Sequence, residues 1–199
     1  MPPVRLSAYT LTSCLGRGLA PTRAALCSGR GGLAPCAFET VRLDTWVGEV
    51  AGLDAHVLPS EFSAYDCRNN RLAHLALHTD GFAEQVRAAT RRHGAERVGV
   101  FLGTSTSGIL QTELAYRRRD PTTGALPDDF DYRRTHNTFS VSDFTRACFG
   151  LSGIAVAIST ACSSGAKAFA AASRCLNLGL IDAAIVGGVD SLCLTTLYG

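Results

Sequence analysis

Residues 158–172 read ISTACSSGAKAFAAA, and they place one cysteine, Cys162, between two contrasting patterns. The residues before it, 153–158 (GIAVAI), are apolar and partly β-branched, which is typical of a buried strand. The residues after it, 166–176, are rich in alanine, the strongest helix former. We therefore predict a strand-to-helix turn, with the sulfur of Cys162 at or near the N-terminus of the helix.

The flanking sequence continues this alternation of strands and helices. Residues 98–102 (VGVFL) and 182–189 (DAAIVGGV) are short apolar runs that predict two more buried strands. Further extended segments are predicted over residues 4–12, as a first strand, and 38–50, as a hairpin-like region. Helices are predicted over residues 22–27, 69–92 (with Gly94 as the stop), 112–119 and 142–149, and a polar surface excursion over 120–137. This order predicts an α/β fold.

Composition limits the classes of protein to which the chain can belong. With 199 residues, 46% of them hydrophobic and 18% charged, the chain is globular and long enough to bury one core. A net charge of +2 excludes the strongly basic surfaces of nucleic-acid and anionic-membrane binders. No run of 18 continuous apolar residues predicts a membrane span. The basic run 117–119 is expected to be solvated, with docking of an acidic partner as the alternative.

The eight cysteines do not form a metal-binding or disulfide pattern. They are widely spaced, so no CxxC zinc motif can be written, and no metal site is expected. Such spacing suits a reducing cytoplasm better than a disulfide framework. The eight positions are Cys14, Cys27, Cys36, Cys67, Cys148, Cys162, Cys175 and Cys193.

The predicted position of Cys162 favours chemistry at its sulfur. Backbone N–H groups are free at a helix N-terminus, and the helix dipole stabilises an anion there, so we expect this position to raise the fraction of nucleophilic thiolate. The backbone N–H of Cys162 is available for an oxyanion hole. Small neighbours, including Ser163, leave room for a substrate. The residues alone leave a second interpretation open, in which Cys162 is a buried structural cysteine.

Three segments together resemble the β-ketoacyl synthases, the condensing enzymes of fatty acid and polyketide synthesis. They are STACSSGAKA (159–168), NLGLIDAAIVGGVDS (177–191) and, upstream, GVFLGTSTSG (99–108). The resemblance implies a thiolase-like α/β fold, with residues 1–199 forming its N-terminal half as a mixed β-sheet flanked by helices. The final residues, LCLTTLYG, have no polar terminus or closing helix, so we expect the chain to be truncated before the C-terminal half.

The resemblance also implies a mechanism and partners. Cys162 would accept an acyl group from acyl carrier protein, and a malonyl group on the same kind of carrier would lose CO₂ and attack the acyl thioester. No cofactor is implied, and a homodimer or a ketosynthase-type heterodimer in the cytoplasm is expected. Substrate-binding residues are predicted on the loop at Ser105, Ser107 and Gly108, with Ser163 beside the nucleophile. Asp190 is predicted to bond the backbone amides of a neighbouring turn.

The sequence departs from the family in its histidines. The family's two catalytic histidines and its lysine belong to the C-terminal half, and none of the five histidines here lies in a matching motif. His74 and His78 are four residues apart, and packing is favoured for them over a metal pair. We therefore expect acylation at best from this chain alone. The alternatives are a thiolase-like acyltransferase for coenzyme A esters, a non-catalytic partner such as a chain-length factor, and an inactive fragment. The five histidines of the chain are His56, His74, His78, His93 and His136.

Overall fold

The elements of the computed structural model, which describes residues 2–199, follow the predicted alternation of strands and helices. The strands are β1 (Thr12–Ser13), β2 (Gly16–Arg17), β3 (Ala34–Pro35), β4 (Trp46–Val47), β5 (Val98–Gly103), β6 (Ala155–Ile158) and β7 (Ala183–Gly188). The α-helices are α1 (Leu19–Cys27), α2 (Arg68–Leu77), α3 (Phe82–His93), α4 (Ile109–Arg117), α5 (Ser140–Cys148), α6 (Ser164–Asn177) and α7 (Leu194–Tyr198). Short 3₁₀ turns lie at Ser60–Tyr65 and Ala95–Arg97, and a π-helical turn lies at Tyr132–His136.

A three-stranded parallel sheet organises the fold, with β5 between β6 and β7. All six residues of β5 are buried, as expected for a parallel strand covered on both faces. Phe101 of β5 lies in register with Val156 of β6 and Val186 of β7. The three predicted strands are confirmed, but only β5 is fully buried, because β6 and β7 are the edge strands of this sheet and their residues are mostly half-buried. The mixed sheet is corrected: among residues 2–199 the central sheet is parallel throughout, and the antiparallel pairs β1–β2 and β3–β4 are separate from it.

Helices pack on both faces of this sheet. On one face, Val100 of β5 and Ile185 of β7 share a core with Phe144 of α5 and Val86 of α3, and α2 packs behind α5. On the other face, Phe101 packs against Ala168 of α6, because successive side chains of a strand point to opposite faces. α6 contacts all three strands. The alanine-rich sequence of α6 therefore serves close packing of the helix on the sheet.

The single helix predicted over residues 69–92 is wrong, because the chain forms α2 and α3 with a turn between them. Asp80 and Gly81 have φ angles of +57° and +70°, which end one helix and redirect the chain. The Asp80 carboxylate accepts the N–H of Leu19 at 3.1 Å, at the start of α1. A contact 61 residues away in the chain thus offsets the cost of the left-handed conformation. Gly94 ends α3, as predicted.

The strand predicted over residues 4–12 is also wrong. Only Thr12 pairs, in the two-residue strand β1. The segment before it lines two cavities, of about 140 and 380 Å³, that run along β7. Leu6 is 69% exposed and Tyr9 is 68% exposed. Because these side chains bury so little apolar area, the segment lacks the packing that stabilises an added strand.

The end of the described chain contains a short helix that the sequence pattern did not predict. α7 begins after Cys193, and the Glu113 carboxylate of α4 accepts the N–H groups of Leu194 at 2.8 Å and Thr195 at 2.7 Å. A carboxylate at a helix N-terminus satisfies free N–H groups and complements the helix dipole. Within residues 2–199, no helix combines the length and apolar character that a membrane crossing requires.

Candidate active site

Cys162 lies in the short turn that joins the end of β6 to the start of α6, as predicted. The residue before it, Ala161, has φ +52°, a left-handed conformation that costs a residue with a side chain about 1–2 kcal/mol. Cys162 itself is exposed. The turn therefore projects the thiol into solvent at the carboxyl edge of the sheet, the edge at which α/β proteins bind their ligands.

Ser164, the first residue of α6, ties this turn to the helix. Its hydroxyl accepts the N–H of Thr160 at 2.8 Å and donates to the Ala161 carbonyl at 2.7 Å. The Ser164 residue is only 3% exposed, so water does not compete for these bonds. At about 1 kcal/mol each, the two hydrogen bonds offset the strain at Ala161.

Ser163, one of the predicted substrate-binding residues, is exposed beside Cys162. Its hydroxyl donates to the Thr160 carbonyl at 2.9 Å and lies 3.0 Å from the Thr160 hydroxyl. These bonds direct the Ser163 hydroxyl toward the turn. Whether this side chain also contacts a substrate stays a prediction.

The electrostatic setting of Cys162 is that of a helix N-terminus without a competing anion. The first turn of α6 contains no acidic residue, and Lys167 lies one turn along the helix. The dipole of this 14-residue helix therefore stabilises negative charge at the turn. Cys162 is not among the residues that line the three cavities described in residues 2–199. The site is an exposed thiol on an open surface.

Other cysteines occupy contrasting environments. Burial raises the pKa of the Cys67 thiol to about 11 and that of Cys148 to about 12, so both stay protonated at neutral pH. Cys27 is the other fully exposed cysteine, but it lies at the C-terminal end of α1. A helix C-terminus carries the negative end of the dipole and disfavours a thiolate. Exposure and helix polarity together distinguish Cys162 from these three cysteines.

Gly103, the last residue of β5, allows the helix to approach the sheet. A Cβ atom built on Gly103 would lie 2.6 Å from the carbonyl carbon of Ser164, closer than real contacts allow. The next residue, Thr104, donates its N–H to the Ile158 carbonyl at the end of β6. The turn that holds Cys162 and the loop after β5 are thus held together at one edge of the sheet. Neither the close approach at Gly103 nor the hydrogen-bonding role of Ser164 was predicted from the sequence, although a glycine that ends a buried strand signals close backbone approach.

Asp190 fixes the loop that follows β5. Its Oδ1 atom accepts the N–H groups of Ser105 at 2.6 Å and Thr106 at 3.2 Å, and the Thr106 hydroxyl at 3.2 Å. The predicted role of Asp190, bonding the backbone amides of a neighbouring turn, is confirmed. The carboxylate links the segment after β7 to the loop after β5.

The three substrate-binding residues predicted on this loop have different surroundings. Ser105 is exposed. Ser107 is buried, with φ +44°, and its hydroxyl donates to the Asn137 carbonyl at 2.9 Å. Gly108 packs so closely on the Thr135 carbonyl that a side chain there would overlap it. The structure brings Ser105 to the surface beside Asp190 and turns Ser107 and Gly108 toward the π-helical segment. A role for the three in substrate binding stays a prediction.

Three of the histidines pack together: His74 of α2, His78 directly after that helix, and His56 from an earlier loop. His56 Nε2 lies 3.0 Å from His74 Nδ1, and the rings of His74 and His78 stack with centroids 4.2 Å apart. His74 also contacts Phe144, on the face of the sheet opposite α6. Burial, followed by the neighbouring His78 and His56, lowers the pKa of His74 to about 4. The predicted packing role is confirmed, and residues 2–199 contain no group of three or more side chains placed to hold a metal ion.

Comparisons with known proteins agree on one family. The family model for the β-ketoacyl synthase N-terminal domain matches residues 69–198, more than half of the chain. The spectinabilin polyketide synthase system protein NorC of Streptomyces orinoci is 32% identical over 167 residues, which cover 82% of this chain and 7% of NorC.

Solved ketosynthase structures share the fold. The ketosynthase ApeO in complex with its chain length factor ApeC, from Xenorhabdus doucetiae, is similar with a TM-score of 0.75 and 30% identity, over 94% of this chain and 47% of that one. The ishigamide ketosynthase/chain length factor has a TM-score of 0.75 at 17% identity, over 95% of this chain and 54% of that one. A β-ketoacyl synthase from Burkholderia phymatum STM815 has a TM-score of 0.74 at 20% identity, over 94% and 46% of the two chains.

The chain spans about half the length of these solved structures. The predicted thiolase-like α/β fold is confirmed by them. With the family model, the sequence relative and the solved structures in agreement, the chain belongs to the β-ketoacyl synthase family and corresponds to the N-terminal half of its fold.

Proposed function

We propose that Cys162 is the acyl-accepting nucleophile of a ketosynthase of fatty acid or polyketide synthesis. The observation that carries this proposal is the exposed Cys162 thiol at the N-terminus of α6, in a chain of this family. The first turn of α6 holds no competing anion, and the exposed thiol is accessible to a large thioester substrate.

The first step is transfer of an acyl group between sulfurs. The Cys162 thiolate attacks the carbonyl carbon of an acyl thioester on acyl carrier protein and forms a new C–S bond. The tetrahedral oxyanion is stabilised by the backbone N–H of Cys162. Collapse of this intermediate breaks the original C–S bond, and the carrier thiolate leaves and takes up a proton from solvent. The product is an acyl-enzyme.

The second step is decarboxylative condensation. A malonyl thioester loses CO₂, its α-carbon attacks the acyl-enzyme carbonyl, and Cys162 leaves as the thiolate when the β-ketoacyl product forms. His56, His74 and His78 pack together, with His74 of α2 against Phe144 on the face of the sheet opposite α6. None of the five histidines lies in a motif that matches the family's catalytic pair. We propose that residues 1–199 act as the N-terminal domain of a longer synthase whose other half supplies these groups.

A dimer of ketosynthase type is the assembly we propose. β6 is an edge strand of the sheet among the described residues, and it leads directly into the nucleophile turn. An exposed strand edge can pair with a strand of another chain. Two of the similar solved structures join a ketosynthase to a chain length factor, which supports a heterodimer. The eight free cysteines fit a reducing compartment such as the cytoplasm.

The test is acylation of the full 199-residue chain by octanoyl-loaded acyl carrier protein, followed by intact-mass spectrometry. The proposal expects one octanoyl group per chain, lost in Cys162→Ser and retained in Cys27→Ser, which removes the other exposed cysteine. Retention of the acyl group in Cys162→Ser would refute the proposal. Octanoyl coenzyme A in parallel separates a carrier-protein substrate from the thiolase-like alternative.

A non-catalytic partner, such as a chain length factor, is the second candidate. Two of the similar structures contain such a factor, which favours it. The exposed cysteine at the nucleophile turn favours the catalytic role, because the resemblance implies that chain-length partners generally lack it. A chain that binds a ketosynthase but carries no acyl group on Cys162 would support this second candidate.

A further inference from the structure

The turn before the nucleophile is strained and needs a restraint. Ala161 has φ +52°, a region that residues with a side chain rarely occupy. Glycine adopts this conformation without a steric cost, but the chain has alanine here. Without a fixed partner, a relaxed backbone at Ala161 would turn Cys162 in a different direction. The direction of the thiol therefore depends on whatever holds the turn.

The Ser164 hydroxyl holds both sides of the strained residue. One oxygen atom accepts the N–H of Thr160, on one side of Ala161, and donates to the carbonyl of Ala161 on the other. Ser164 is buried, and the glycine at position 103 allows its backbone to sit against the end of β5. Ser163 differs, because it is exposed and bonds only to Thr160.

We infer that Ser164 is a positioning residue for acyl transfer. Its hydroxyl fixes the orientation of the turn, and with it the orientations of the Cys162 thiol and the Cys162 N–H. Both groups can then reach the carbonyl of the same thioester. This inference rests on the proposed function. Attack on a thioester requires the sulfur and the oxyanion donor together, and misplacement by about 1 Å can cost on the order of 100-fold in rate. Alkylation by iodoacetamide requires only an accessible thiolate.

The two reactions measured on Ser164→Ala test this role. Octanoyl-N-acetylcysteamine and iodoacetamide serve as the probes, and the modified Cys162 peptide is quantified by mass spectrometry. We expect acylation to slow on the order of 100-fold and alkylation to change by less than about threefold. Ser164→Thr, which keeps the hydroxyl, is expected to retain most of the acylation rate. Acylation of Ser164→Ala at the wild-type rate, or an equal loss in both reactions, overturns the inference.

A double variant separates positioning from a general role in helix stability. Glycine at position 161 removes the strain, so Ala161→Gly combined with Ser164→Ala should recover at least about tenfold of the lost acylation rate. A Ser164 that only stabilises α6 would not be replaced by a change at Ala161. A double variant no faster than Ser164→Ala overturns the inference.

Amide hydrogen exchange of the wild-type chain gives a test that does not depend on a variant folding. The Thr160 N–H is bonded to Ser164, so we expect it to exchange at least about tenfold more slowly than in an unstructured peptide. Exchange at the unstructured rate overturns the inference. If the wild-type chain carries no acyl group on Cys162, the proposed function fails, while protection of the Thr160 amide still decides whether Ser164 holds the turn.

Discussion

The carboxylate of Asp190 lies 2.6 Å from the backbone nitrogen of Ser105 and accepts its N–H. This bond joins the segment after β7 to the loop after β5, although the two residues are 85 positions apart in the chain. The same oxygen accepts the N–H of Thr106. The carboxyl ends of two neighbouring strands are therefore held in one arrangement beside the turn that holds Cys162.

Replacement of Asp190 should loosen this edge of the sheet. Asp190→Ala removes the acceptor for two backbone N–H groups, so we expect the free energy of unfolding to fall by about 1–3 kcal/mol in urea denaturation. Asp190→Asn keeps a carbonyl oxygen and should cost less. Asp128→Ala, at an exposed aspartate on the surface excursion, is the matched control and should change stability by less than about 0.5 kcal/mol. Equal stability of Asp190→Ala and the control would contradict the proposed role of the carboxylate.

A side chain at position 103 should separate the sheet from the nucleophile helix. In Gly103→Ala the new Cβ would meet the Ser164 carbonyl carbon at 2.6 Å, which forces a backbone shift. We expect a loss of about 1–3 kcal/mol in thermal or urea unfolding and slower acylation of Cys162. Gly165→Ala, at a helical glycine where a new Cβ would meet no atom within 4 Å, should instead be neutral or stabilising by up to about 1 kcal/mol. A stable, fully reactive Gly103→Ala chain would show that close approach at Gly103 is unimportant.

The burial of His74 in α2 should make stability depend on pH. The pKa of His74 is about 4 in the folded chain against an ordinary value of 6.5, so the unfolded chain binds more protons between these limits. Titration of His74 therefore leaves the free energy of unfolding at its full value above pH 6.5 and lowers it as the pH falls toward 4. Because His74 is partly exposed, we expect a loss of about 1 kcal/mol rather than the full value. His74→Gln should make the urea midpoint of unfolding depend less steeply on pH between pH 6.5 and 4, and should leave its pH dependence above about pH 7 unchanged. The same pH dependence as the wild-type chain between pH 6.5 and 4 would contradict this role of His74.

The chain alone should stop at the acyl-enzyme. Incubation with octanoyl-loaded and malonyl-loaded acyl carrier protein is expected to give acylated Cys162 without a β-ketoacyl product, because the five histidines do not match the family's catalytic pair. Mass spectrometry of the carrier protein after the reaction measures both outcomes. Release of CO₂ together with a β-ketoacyl carrier would show that decarboxylation is catalysed within these 199 residues.

Local sequence patterns predicted the parts of the fold that depend on neighbouring residues. The strand-to-helix turn at Cys162 follows from an apolar run and an alanine-rich run that adjoin it. The role of Asp190 was instead predicted beside the resemblance to the β-ketoacyl synthases. Errors occurred where distant contacts decide the structure. The break between α2 and α3 depends on the contact of Asp80 with Leu19, and the fate of residues 4–12 depends on how β7 is covered. The role of Ser164 depends on which of two adjacent serines is buried, which their sequence does not reveal.

The Cys162 thiol is expected to react with acyl thioesters in preference to the other exposed thiol of the chain. The ratio of the acyl occupancy of Cys162 to that of Cys27 measures this preference directly. Both thiols are exposed, but they lie at opposite ends of their helices. In a single digest of wild-type chain treated with limiting octanoyl-loaded carrier protein, we expect the Cys162 peptide to carry the octanoyl group in at least about tenfold excess over the Cys27 peptide. Equal occupancy of the two peptides, or a preference for Cys27, would contradict the account.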